Sequence, residues 1–196
     1  MMMRQIRKLL LAALVAGRLQ VSFATEGKDK IDRVLWTNHK TLTFEDFKGN
    51  AAKDEKYNNL PDMDVLAKIT KTILVQQKVR NSLAKFRVYA TMYPENSWIR
   101  AEGDTASLKH EQGHYDICEI YARLLRKEMV NVGSMDEAKK MFYRITYQEQ
   151  LEQNWFDADN SGTDEGISEF WAERIKTRLR ELEAYKKPVV YVTLDE

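Results

Sequence analysis

Phe86-Arg87-Val88-Tyr89-Ala90-Thr91-Met92-Tyr93-Pro94, followed shortly by Thr105-Ala106-Ser107-Leu108-Lys109-His110-Glu111-Gln112-Gly113-His114, is where this chain changes period. The first run alternates apolar and polar side chains, the strand period of two, and stops at a proline that cannot donate to a ladder. From Thr105 to about Val130 the apolar residues Leu108, Ile117, Ile120, Tyr121, Leu124, Leu125 and Met129 instead mark one stripe of a helix. Asp104 or Thr105 is placed to cap its start and Gly133 to end it. Working upstream, Val65 to Val79 is rich in β-branched residues and also alternates, which predicts a strand paired with 86–93. Val34-Leu35-Trp36 with Leu42 to Phe47 reads as a short strand entering a turn at Lys48-Gly49-Asn50, and residues 51–61 read as an exposed loop. Downstream, the spacing predicts a second helix from Met135 to about Trp155 and a Gly/Asp/Asn/Ser loop at 157–164. A third helix is predicted from Ile167 to Tyr185, and a terminal strand from Val189 to Leu194 after Pro188. Antiparallel strands first and three helices after make an α+β domain.

The first two dozen residues follow another logic. Arg4, Arg7 and Lys8 precede the apolar run Leu9 to Ala16, and Ser22-Phe23-Ala24 places small residues where a signal peptidase reads. The apolar run is too short to span a bilayer. Residues 1–24 therefore read as a secretory signal peptide and 25–196 as one domain. Taking the four basic residues of 1–24 from the 31 lysines and arginines leaves 27 against 30 acids, a net charge of −3. That balance lacks the basic footprint of a nucleic-acid binder. No later segment is apolar enough to cross a membrane, and the single cysteine, Cys118, excludes an intrachain disulfide. Export without disulfides points to a secreted bacterial protein, of the periplasm or the cell exterior, with a Gram-negative source favoured. The mixed charge run from Arg174 to Lys187 reads as a solvated helix face.

His110-Glu111-Gln112-Gly113-His114 carries the chemistry. Histidines four apart project from one helix face and can reach one ion, and a glutamate beside the first is placed to take a proton from a metal-bound water. This is the H-E-x-x-H arrangement of zinc metalloproteases, with His110 and His114 as ligands and Glu111 as general base. Gly113 inside a helix implies that another backbone or a substrate passes close above it. A catalytic zinc needs a third protein ligand. Glu165 is the leading candidate, with Asp164 or Glu169 as alternatives and His39 as the remaining histidine. Glu165 and Glu169 share a helix face, so one can bind metal while the other hydrogen-bonds the far nitrogen of a ligand histidine. Asp157-Ala158-Asp159-Asn160-Ser161-Gly162 also matches the first half of a calcium loop, but the pattern fails where Ser168 occupies the last position and Glu169 falls one residue late. Asp116 lies about 200° around the helix from His114 and is placed to orient a neighbour. Tyr115, Tyr143 and Tyr147 are candidate oxyanion donors.

The run Leu108 to Arg126, with its His110-Glu111-Gln112-Gly113-His114-Tyr115-Asp116-Ile117 centre, resembles a family of predicted secreted bacterial zinc-dependent proteases. Trp36 and the segment Leu42–Gly49 match a second stretch of that family, in the same order along the chain. The resemblance implies a zincin-like fold, a bound Zn²⁺ and a peptide or protein substrate. In the family a Y-D…T-x-H segment follows the second helix and carries a histidine. Here Phe156-Asp157 and Thr163-Asp164-Glu165 stand in its place, with Glu165 where that histidine would fall. The sequence thus leads to an exported zinc peptidase, with the strand Phe86–Tyr93 as an edge for peptide addition. A cell-wall peptide hydrolase or a non-catalytic binding domain with a structural or vestigial metal site are the alternatives.

Overall fold

The computed structural model describes residues 33–36, 41–50, 65–66, 69–80, 82–99, 104–160 and 165–194. Residues 1–24, expected to be a signal peptide, His39, residues 51–61, expected to be a loop, and Asp164 lie outside them. Among the described residues the architecture is α+β, with an antiparallel sheet, three helices and a short C-terminal strand.

The sheet is organised around one strand. In chain order the strands are β1 (Val34–Leu35), β2 (Val65–Leu66), β3 (Ile69–Arg80), β4 (Leu83–Met92), β5 (Trp98–Ile99) and β6 (Val189–Thr193). β3 pairs with β4 from Ile69 opposite Met92 to Gln76 opposite Lys85, then shifts register before Arg80 meets Leu83. Ser82 turns this hairpin with a φ of 66°. The opposite edge of β4 is shared: β6 covers Leu83 to Arg87 and β1 covers Thr91 and Met92. The strand predicted over Val65–Val79 is interrupted, because Val65–Leu66 pairs with β5 as a separate two-stranded ladder. The expectation that 86–93 offers an open edge for a peptide is overturned, since β4 has strands on both sides. Phe44–Asp46 is also not strand but a 3₁₀ turn, in which Asp46 accepts from the Thr43 backbone and hydroxyl. The local bonding of that short acidic side chain outweighs the alternating aromatic pattern.

One face of β4 makes the core. Phe86, Val88, Ala90 and Met92 are buried at alternate positions, as the strand period requires. Against them lies α1 (Thr105–Met129), whose first turn is capped by Asp104 accepting from the Ala106 and Ser107 amides. α2 (Met135–Asn160) and α3 (Glu169–Glu181) complete a cluster in which Ile117, Ile120, Leu125, Phe142, Phe156 and Trp171 meet. A single 3₁₀ turn, Glu183–Tyr185, leads from α3 to β6. Among the described residues no helix is long and apolar enough to cross a membrane.

Two buried ionic clusters join these parts. Arg126, 1% exposed, donates to the Val88 carbonyl of β4, to the fully buried Glu119 and to the Tyr185 carbonyl. Arg123 bonds Glu119 and the Leu179 carbonyl, tying α1 to the end of α3. Elsewhere, Glu152 of α2 accepts from Tyr121 of α1 and from Arg174 and Arg178 of α3. The run Arg174–Lys187 is therefore only partly a solvated face, because two of its arginines close a buried carboxylate.

Candidate metal centre

α1 presents His110 and His114 one turn apart, and α2 brings Asp157 to them. His110 Nε2 lies 3.0 Å from His114 Nε2 and 3.2 Å from Asp157 Oδ1, and His114 Nε2 lies 2.7 Å from the same oxygen. Among the described residues these three form the group able to hold a metal ion.

The outer nitrogens are also fixed. His110 Nδ1 lies 3.1 Å from the Gly166 carbonyl and His114 Nδ1 lies 2.6 Å from Gln153 Oε1. Both partners are acceptors, so each Nδ1 carries the proton and each Nε2 presents its lone pair to the cluster. Gln153 turns its amide nitrogen to the His114 carbonyl at 3.1 Å, which sets its oxygen towards the ring. Gly166 has a φ of 78°, and a Cβ there would stand 1.8 Å from the Ala106 carbonyl oxygen. Only glycine lets the chain pass that closely over the start of α1 and aim its carbonyl at His110.

Phe156 forms the apolar wall. Its ring lies 4.9 Å from that of His110 and 4.8 Å from that of His114, and is itself fully buried. A Cβ on Gly113 would meet the Phe156 ring tip at 2.3 Å. The neighbour above Gly113 is thus an aromatic side chain of α2, and not the backbone or substrate that the glycine led us to expect.

The electrostatics ask for a cation. Burial pushes the His114 imidazolium towards losing its proton, but the Asp157 charge and hydrogen bond, with help from Glu111 and Gln153, outweigh it and raise the pKa to about 9. Burial would raise the Asp157 carboxyl, yet the two histidines hold it well below the usual carboxylate range. Without metal, a proton on His114 supplies positive charge where a divalent ion would sit.

The third member differs from the expected one. Glu165 and Glu169 are both exposed and neither joins the cluster. The chain reverses at Gly166 to send its backbone, not the Glu165 carboxylate, towards His110. Asp157 takes that place because α2 continues to Asn160, beyond the predicted end at Trp155. The calcium-loop reading fails for the same reason. Asp157 and Asp159 stand in the last helical turn and diverge, one to the histidines and the other accepting from Trp171 Nε1 at 2.9 Å. Asn160 bonds back to the Phe156 carbonyl and accepts from Ser168 N, closing the helix and starting the next. The missed signal was Gln153, Phe156, Asp157 and Asn160 at helical spacing.

Other expectations resolve similarly. Asp116 accepts from Trp36 Nε1 at 2.7 Å and from Gln112 Nε2 at 2.8 Å, so it orients neighbours as its helical angle suggested. Tyr115 is buried and donates to the Val34 carbonyl, which removes it as an oxyanion donor. Tyr143 and Tyr147 are exposed on α2. Glu111 is 8% exposed, and its charge contributes to the His114 shift. The class defined by fold and site is an α+β domain with a His/His/Asp group on two packed helices, able to hold a metal ion. No protein-family model, no curated protein and no solved structure matches this chain.

Proposed function

We propose that this protein is an exported, zincin-like zinc metallopeptidase whose metal is held by His110, His114 and Asp157. The observation that carries the reading is the convergence of three donor atoms from two helices, each histidine having its other nitrogen occupied by an acceptor. Donors around a tetrahedral zinc with bonds near 2.0–2.1 Å stand about 3.3 Å apart, close to the spacings here. Two imidazoles and one carboxylate suit zinc, and three protein ligands leave a fourth position for water. His110, His114 and Asp157 would hold the ion, which would supply Lewis acidity at that position. Glu111 accepts the proton released in attack on the peptide carbonyl and returns it to the leaving amine. The signal-like segment 1–24 supports export to the periplasm or cell exterior.

A second reading, a structural metal site, draws on the burial of Glu111, which shares the core-facing stripe of α1 with Tyr115 and Cys118. One experiment separates the two: zinc analysis with hydrolysis of unstructured protein or cell-wall peptides. Asp157→Ala is expected to lose zinc and activity, Glu165→Ala to keep both, and Glu111→Gln to keep zinc but lose at least about 100-fold in turnover. Full zinc in Asp157→Ala would remove Asp157 from the site. Zinc bound by a native chain that hydrolyses none of these peptides, with Glu111→Gln lowering only its stability, would favour the structural reading.

A further inference from the structure

A groove of about 950 Å³ lies on the face of α1 next to the histidines, bounded by α3 and by Trp36 and Leu42. None of the three metal-site residues lines it. Its size falls at the upper end for small-molecule sites. The floor is apolar, formed by Trp36, Leu42, Leu108, Ile175 and Leu179. From Lys109 to Arg123 it follows α1 for about 21 Å at 1.5 Å per residue, the reach of an extended long-chain acyl group.

The rim has one sign of charge to spare. Its acids are committed, Asp116 accepting from Trp36 and Gln112, and Glu183 facing Arg123 and Lys186. Lys176 pairs with Glu173. Lys109, Arg180 and Lys187 come from the start of α1, from α3 and from the approach to β6, and all three are exposed. Among the described residues none of the three has a carboxylate partner. A peptide would need polar partners along its backbone, and the uncharged polar side chains in the lining are Thr41 and Gln112. Gln112 is already committed, accepting from Leu42 N and donating to Asp116. An acyl chain has no such requirement and carries its polar group at one end.

We propose that this groove binds a free long-chain carboxylate, its chain on Trp36, Leu42 and Leu179 and its head group at the cationic mouth near Arg180. The site is independent of the metal centre.

The test titrates the full chain with palmitate, hexadecanol and hexadecyltrimethylammonium in competition with a fluorescent polyene fatty acid. Palmitate is expected to saturate a single site and to outcompete the other two. Arg180→Glu with Lys187→Glu, both on the surface, is expected to weaken palmitate roughly tenfold or more and leave hexadecanol unchanged. Ala172→Trp, an exposed position lining the groove, is expected to weaken all three by filling it. Four outcomes overturn the proposal: no saturable palmitate binding, equal or tighter binding of the ammonium, insensitivity to the charge reversal, or binding to phosphatidylglycerol vesicles without binding free palmitate. Concentration-dependent dimerisation that Ala172→Trp abolishes, without palmitate binding, would instead assign the groove to a second copy of the chain.

Discussion

Gln153 does for His114 what the Gly166 carbonyl does for His110: it takes the outer proton and fixes the ring. A side-chain partner can be removed cleanly, whereas a backbone one cannot. Gln153→Leu keeps the apolar stem and deletes the acceptor, leaving His114 free to change tautomer and turn its protonated nitrogen towards the metal. The expected result is a loss of zinc affinity of roughly 10–100-fold with helix content unchanged. Competition with a fluorescent chelator measures it, and unchanged affinity would show that Gln153 only packs there. Gly113 is a different case, because the Phe156 ring tip stands 2.3 Å from where a methyl would sit and so occupies its space. Gly113→Ala should cost about 1–3 kcal/mol in urea unfolding through overpacking. Much of that should return in Gly113→Ala with Phe156→Leu, since the two sites share one contact.

The elements differ in how openly the sequence declares them. α1 was legible almost to the residue, because a capping aspartate and a sustained apolar stripe agree, although the helix ends at Met129 with Val130 as its cap, ahead of Gly133. β3 and β4 were legible as a pair, but no sequence pattern reports that β6 and β1 divide the far edge of β4, since that pairing is non-local. The end of α2 was misread because Asp157, Asp159 and Asn160 are turn formers by local chemistry. In the fold Asp157 instead meets His110, 47 residues back and beyond any local window, while Asp159 and Asn160 bond Trp171 and Ser168 just downstream. His110 and His114 were thus legible as a motif, while the third member of their cluster depended on where a helix stops. Glu152 shows the same dependence on distant partners. Its carboxyl is buried, which would raise its pKa, but Tyr121, Arg178 and Arg174 outweigh burial and lower it. A depressed folded-state pKa contributes stability above the unfolded value near 4.5, lost as pH falls through the folded one. Glu152→Gln should therefore cost about 1–3 kcal/mol at neutral pH, since it removes the charge that faces the partly exposed Arg178 and Arg174. It should also flatten the acid limb of a urea-stability profile below pH 4.5, and an unaltered limb would show that this carboxylate does not fasten α1, α2 and α3 together.

At the scale of the whole molecule, the proposed zinc site sets proton and metal in competition for one position. In the metal-free protein His114 has its pKa raised to about 9, against an ordinary value of 6.5. A raised folded-state pKa contributes stability that is fully present below the unfolded value and is lost as pH rises through the folded one. Chelated protein should therefore lose thermal stability between pH 6.5 and about pH 9.5. Zinc requires the neutral imidazole, so its binding free energy grows as proton competition falls over the same window. The two trends have opposite sign, and the difference in Tm between zinc-loaded and chelated protein should widen steadily from pH 6.5 to 9.5. Asp157→Asn removes the charge that raises His114 and weakens the ligand set at once, so in that variant both limbs should flatten. Scanning fluorimetry across pH, with and without chelator, reads this directly. A gap that stays constant with pH in the native chain would mean that His114 and Asp157 do not share one cation site, and the metal centre would have to be sought elsewhere.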